Sequence, residues 1–258
     1  MTEIRPIREA EAATFLSLLC RVFHLDVGRA SAIFYSEPFY DLNRKWAFIQ
    51  NGSMKSILTT TPLDFGWGRA IGIAGVGTDD SARGKGYAET LLREVLSQSE
   101  QAGEGPAILF AHKTVLYERV GFEVLDHVVK GAIRVSDPRP WGQGLPLAEV
   151  QSRYAEWASQ DDARLRRDER RWRYWQFVYR ECLDMGRRGY IGCEASLCRE
   201  AIVEEATHAW PVHHGTEWYG LRSMAKVVGV PLLEEKEELI LMGRHFPSLP
   251  QMFMSDQF

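Results

Sequence analysis

Several signatures are missing from this sequence, and each absence removes a class of function. Only Cys20, Cys182, Cys193 and Cys198 occur in 258 residues. They are too few and too scattered for a disulfide framework, which points to a reducing compartment. No run approaches the roughly 20 apolar residues of a membrane span, and MTEIRPIREAEAATF opens with mixed charges where a secretory signal has an apolar core. A cytoplasmic protein with no membrane partner is the expectation. Positive charge is not in excess: 31 Lys and Arg against 35 Asp and Glu leave −4, which gives no general reason to expect nucleic acid. Nucleotide loops are absent too. A Walker A loop needs GxxxxGK followed by Ser or Thr, whereas Gly86 is followed by Tyr87 and Ala88; a dinucleotide loop needs a third glycine, which GKGYAE lacks. Cys193, Cys198, His208 and His213 or His214 have a zinc-like order, but the gap between the cysteines falls across a predicted strand turn, so no metal is expected.

The length suits one large domain or two modest ones. In residues 7–23, Ala12, Phe15, Leu16, Leu19, Val22 and Phe23 recur at helical spacing. A second helical stretch spans about 28–40. Strands are predicted at 45–50, 53–60 and 69–77, with Asn51-Gly52 as a two-residue hairpin turn. Helix 86–101, a buried strand 106–111, a short helix 113–119 and a strand from near Gly121 follow, an α+β order with a crossover. The proline- and glycine-rich SDPRPWGQGLP marks a linker at 136–146 between units 1–135 and 147–258. Residues 147–183 read as helical and carry RLRRDERRWRYW, whose six arginines are interleaved with Asp168 and Glu169. The plain reading is a solvated face with Trp172, Trp175 and Tyr179 turned inward; the interleaved acids argue against a nucleic-acid surface. Segments 188–196 and 197–207 alternate like a hairpin, WYGLRSMAKVVGV suggests a helix, and 238–244 a strand.

One stretch, TDDSARGKGYA (78–88), stands where an apolar strand gives way to a helix. A helix N-terminus offers free N–H groups and partial positive charge, so it binds anions that can come close. Gly84 and Gly86 clear that approach, and Arg83 and Lys85 add charge. A pyrophosphate site and a mere tight turn both fit these letters. Arg83 to Ala88 also reads R-x-x-G-x-A, and LYERVGFE (116–123) follows as Tyr-x-x-x-Gly-Phe.

Together the two motifs resemble the GCN5-related N-acetyltransferase (GNAT) superfamily over about residues 1–135. The resemblance implies the GNAT fold with acetyl-CoA as cosubstrate. The strand backbone at Val76, Gly77 and Thr78 would pair with the pantetheine arm, and Arg83, Gly84, Lys85, Gly86, Tyr87, Ala88 and Glu89 would hold the pyrophosphate. Tyr117 would protonate the departing thiolate; by spacing alone, flanked by Leu116 and Val120, it reads equally as a core aromatic. Many members carry an asparagine a turn or two before that tyrosine. Here the segment is FAHKTVLY, which puts His112 and Lys113 beside the pantetheine end.

In the second half RDERRW, RRGYIGCEA and IVEEATHAW resemble the enhanced intracellular survival type of acetyltransferase, a tandem of two such folds. The second copy has no R-x-x-G-x-A loop, so residues 147–258 are expected to be a degenerate GNAT-like unit that walls the acceptor site. The family's usual third, sterol-carrier-like domain does not fit in this length. Its C-terminal carboxylate serves as a base there, which implies the same role for the α-carboxylate of Phe258, with Asp256 near; the rival reading of FPSLPQMFMSDQF is a packing tail. Asp26, Glu37 and Asp41, among Phe34, Tyr35, Phe39 and Tyr40, suit a cationic amine, and suit a surface loop as well. The expected acceptor is an amine-bearing small molecule, such as an aminoglycoside or a polyamine, or a lysine side chain. The rival from another class is a non-catalytic acyl-CoA sensor. Tandem relatives form symmetric oligomers, so a homo-oligomer is an expectation carried by the resemblance alone.

Overall fold

A computed structural model of the chain describes residues 1–135, 144–178, 181–184, 189–203 and 208–258. The linker expected at 136–146 falls mostly outside these, as do Tyr179, Arg188 and residues 204–207.

Apolar and β-branched residues recur through β2 (Lys45–Gln50), β3 (Ser53–Phe65) and β4 (Gly68–Thr78), which form an antiparallel meander next to β1 (Thr2–Pro6), with runs of buried positions in β2 and β4. The β2–β3 turn needs left-handed backbone at both central positions; Asn51 has φ 50° and Gly52 φ 74°. On one side of the sheet, α1 (Ala12–Phe23) buries Phe15, Leu16 and Leu18 and contacts α2 (Val27–Phe34). Phe23, expected on the buried face, is instead half exposed. Another core cluster joins Leu91, Leu92, Val95 and Leu96 of α3 (Tyr87–Gln101) to Ile71 and Ile73 of β4. β5 (Ala107–Ala111), α4 (Val115–Glu118) and β6 (Glu123–Ala132) complete the first segment.

The second segment departs from the sequence reading in two places. Residues 147–183 are not continuously helical: α5 (Leu147–Ser159) and α6 (Glu169–Val178) are separated by β7 (Leu165–Arg166), and β8 (Glu181–Asp184) follows. The cause is tertiary, since Leu165 and Arg166 pair with Phe65 and Asp64 of β3. Glu217–Leu221 is also a strand, β11, with α7 (Arg222–Val227) only after it; pairing with β6 on one side and with β10 (Leu197–Ile202) on the other outweighs its helical letters. β9 (Tyr190–Glu194) and β10 form the expected hairpin, and β12 spans Lys236–Arg244.

All twelve described strands belong to one mixed sheet in the order β1-β2-β3-β4-β5-β12-β6-β11-β10-β9-β8, with β7 on β3. β12 lies between β5 and β6, antiparallel to both, so the last strand of the chain completes the sheet of the first segment. Among the described residues no helix is long and apolar enough to cross a membrane.

Candidate active site

The site is made where two parallel strands stop pairing. Ile71, Gly72 and Ile73 of β4 lie opposite Ala107, Ile108 and Leu109 of β5, and pairing ends there although β4 runs on to Thr78. The register on the other side of β4 explains the parting. Thr59 pairs with Ala74 and Ile57 with Gly77, so Leu58 alone faces Gly75 and Val76, and Gly75 has φ 60°. Such a bulge bends its strand. The β4 edge at Ala74–Thr78 therefore faces an opening, a cavity of about 550 Å³ lined by Ile73–Val76, Phe110–Lys113, Val115–Tyr117, Phe23 and Arg119.

Past Thr78, the Asp79 carboxylate accepts from the Ser81 N–H at 3.0 Å and from its hydroxyl at 2.6 Å, bonds that hold this acid below its ordinary pKa. Gly84 and Gly86 both have φ 76°, and Gly86 caps α3 with no side-chain acceptor. The first N–H groups of α3 thus lack a capping side chain. Arg83 pairs with Asp80 at 2.7 Å on the surface, and Glu89 with Arg93 at 2.9 Å. Tyr87 stacks on Phe48 at 4.5 Å and donates its hydroxyl to Gln50 at 2.9 Å, anchoring the helix to β2.

Tyr117 on α4 lines the same cavity, its ring edge against Phe122 at 6.2 Å. Its hydroxyl has no hydrogen-bond partner among the described residues, and burial raises its pKa above the ordinary 10.0. His112 and Lys113, exposed after β5, border the cavity.

A second cavity of about 260 Å³ lies between α1, α2, β4 and α6 and touches the first at Ala74 and Gly75. Of the acids expected around an acceptor, only Glu37 lines it. Asp26 accepts the Arg29 N–H at 2.8 Å as the cap of α2, and Asp41 accepts the Asn43 N–H at 2.9 Å. Phe34 and Phe39 line the cavity, while Tyr35 and Tyr40 pack edgewise on Phe34 at 5.0 and 5.5 Å. Sequence reasoning did not single out Lys45, Arg171 or Tyr174 as lining residues.

Phe258 lines this second cavity, and its ring lies 5.6 Å from that of Phe110. A Cβ added at Gly72 would sit 2.6 Å from the Phe258 ring. Gly72→Ala is therefore expected to dislodge the ring or strain β4, at a cost of about 1–3 kcal/mol for overpacking; a lowered urea midpoint would register it. The tail is held from behind by buried charge. Arg167, fully buried, donates to both Asp256 oxygens at 2.8 and 2.7 Å and to both Glu200 oxygens at 3.0 and 2.6 Å. Glu200 also accepts from Trp175 at 3.0 Å and from Tyr190 and Ser255. Burial pushes the Glu200 carboxyl up, but the Arg167 guanidinium beside it outweighs this, and the net shift is below the ordinary 4.5. Asp256 is wholly buried in this network and lines neither cavity. Arg171 donates to the Asp256 carbonyl at 3.2 Å and to the Pro62 carbonyl of β3 at 2.9 Å, tying the tail to the meander. The arginine run is thus no uniformly solvated face: Arg167 and Arg171 are among the most buried charges of the described residues, while Trp172 and Trp175 do turn inward.

Among the described residues no group of three or more His, Cys, Asp or Glu is placed to hold a metal ion. Residues 3–125 match the family model of an acetyltransferase (GNAT) domain. No curated protein matches the sequence at a significant level. Among solved structures, a GCN5-related N-acetyltransferase from Anabaena variabilis is similar at 15% identity and TM-score 0.70, over 95% of this chain and 72% of that one. One from Kribbella flavida has 17% identity and TM-score 0.69, over 94% and 70%. Eis1 from Mycobacterium abscessus has 14% identity and TM-score 0.62, over 93% and 73%. Residues 3–125 thus match the model of an acetyltransferase (GNAT) domain, and the chain shares the α+β fold of these GCN5-related N-acetyltransferase structures, built on a mixed sheet.

Proposed function

We propose that the chain is an acetyl-CoA-dependent N-acetyltransferase that moves an acetyl group to a primary amine by direct attack on the thioester. The observation that carries this reading is the meeting of two cavities at Ala74 and Gly75. A donor entering between β4 and β5 and an acceptor entering past α1 and α2 would share that point, the proximity a two-substrate reaction requires.

The residues present fit the donor. Acetyl-CoA would supply the activated acyl carbon and a thiolate leaving group. The β4 edge from Ala74 to Thr78 offers backbone groups to a pantetheine amide. The uncapped amides of Gly84 to Glu89, with Lys85 beside them, suit a pyrophosphate. The hydroxyl of half-buried Tyr117, unpartnered among the described residues, is the proton donor to the departing sulfur. Where residue 258 is the end of the chain, its α-carboxylate is the acceptor of the amine's proton, a reading supported by the packing of the Phe258 ring on Gly72 and Phe110 beside the cavity. Deleting Phe258 is expected to lower kcat by about 100-fold or more, the range of a lost general base, with acetyl-CoA affinity by calorimetry unchanged.

Residues 147–258 are read as a degenerate second copy of the enhanced intracellular survival type. Their part is architectural: α6 contributes Arg171 and Tyr174 to the acceptor cavity, and β12 sits between β5 and β6. Amine-dependent thiol release from acetyl-CoA tests the function. Release that scales with amine supports the transferase; tight CoA binding without release by any amine would make the chain a sensor instead.

A further inference from the structure

The wall of the second cavity restricts which amine it admits, an inference that rests on the transferase reading above. Two of the three acids that would attract a polycation are spent as backbone caps: Asp26 on the Arg29 N–H and Asp41 on the Asn43 N–H. The third, Glu37, already accepts from Lys45 at 3.1 Å. The Lys45 ammonium is itself buried, 4.5 Å from the Phe34 ring centre and 5.4 Å from that of Tyr40. The remaining charged side chain on the wall, Arg171, is a cation. A polyamine or aminoglycoside would bring several positive charges to a wall whose one side-chain acid, Glu37, is already paired with Lys45 and whose remaining charged side chain, Arg171, is a cation; beyond the single charge that the Phe258 α-carboxylate would offset, it would lose hydration there without compensation.

Apart from Thr59, Thr61 and Tyr174, the rest of the wall is apolar, with Leu16, Leu19, Leu25, Ile33 and Phe34 among its residues. Apolar surface also continues outside. Leu25 is 45% exposed and Ile33 50%, with Val27 and Tyr35 exposed beside them. A cluster of exposed apolar side chains at the mouth of a cavity marks a ligand groove more than a solvated rim. At about 260 Å³ the space is small for a ligand pocket.

From these observations we infer that the acceptor is a monoamine with a compact apolar body, of the arylalkylamine or alkylamine class. Its nitrogen would lie at Ala74–Gly75, where the donor cavity meets this one, and its body between α1 and α2. Ile33 is then a specificity residue, in contact with the body at the mouth.

The test compares 2-phenylethylamine, methylamine, spermidine and an aminoglycoside as acceptors for the full chain, by thiol release from acetyl-CoA, beside calorimetric binding of acetyl-CoA. The expected kcat/KM for 2-phenylethylamine exceeds that of each other amine by about tenfold or more, the discrimination available to an apolar pocket. Ile33→Glu, at a half-exposed position that tolerates charge, is expected to lower the 2-phenylethylamine value and raise that of spermidine, with acetyl-CoA affinity unchanged. Equal or better turnover of spermidine or the aminoglycoside would overturn the inference and leave the transferase standing. Indifference of both amines to Ile33→Glu would overturn it as well. Acetyl-CoA binding without release by any amine, or no binding, would overturn both.

Discussion

Replacing Tyr117 by phenylalanine is expected to lower kcat by about 10²- to 10⁴-fold, the usual worth of a positioned general acid, and to leave the KM for acetyl-CoA nearly unchanged. The ring contact with Phe122 survives the change, so the cavity keeps its shape. What is lost is one proton at one oxygen. Burial keeps that proton in place: the phenol titrates above 10.0, so it remains protonated through neutral pH, as a donor to a thiolate must. If Tyr117 were only a packing residue, phenylalanine would serve equally well and kcat would stay put. Pre-steady-state measurement of thiol release separates the chemical step from product release.

Arg167→Met is expected to produce the largest loss of stability, about 3–5 kcal/mol in urea unfolding, because it leaves two carboxylates buried with their main partner gone. Removing Arg167 also frees the tail, since Asp256 is the anchor that sets Phe258 at the cavity. The same network gives the protein an acid-sensitive element. Glu200 titrates below 4.5 in the folded chain, so its contribution is in full force above that pH and is lost as pH falls through the lower folded value. In Arg167→Met the partner that depresses Glu200 is absent, and this part of the acid dependence is expected to vanish with it.

The elements nearest the cavity between β4 and β5 were legible because they are local. Asn51-Gly52 declares its turn by the backbone it needs, and the apolar spacing of Leu91, Leu92, Val95 and Leu96 declares α3. The loop glycines at 84 and 86 carry the left-handed backbone that their letters permit. Legibility ended where partners are distant. Nothing in ELILMGR says that β12 will lie between β5 and β6. RLRRDERRWRYW has the composition of an exposed helix, yet Arg167 is buried because Glu200 and Asp256, 33 and 89 positions away, converge on it. The acceptor side misled for a related reason. Asp26 and Asp41 look like ligands for a cation, whereas short-range backbone capping claims them first, a competition that side-chain chemistry alone does not reveal.

The decisive measurement is a crystal structure of the chain with CoA bound. The expected result has the pantetheine along the Ala74–Thr78 edge of β4, the pyrophosphate on the amides between Gly84 and Glu89, and the sulfur within hydrogen-bond reach of the Tyr117 hydroxyl, facing Ala74 and Gly75. CoA bound elsewhere, or a sulfur turned away from Tyr117 and from the second cavity, would contradict it.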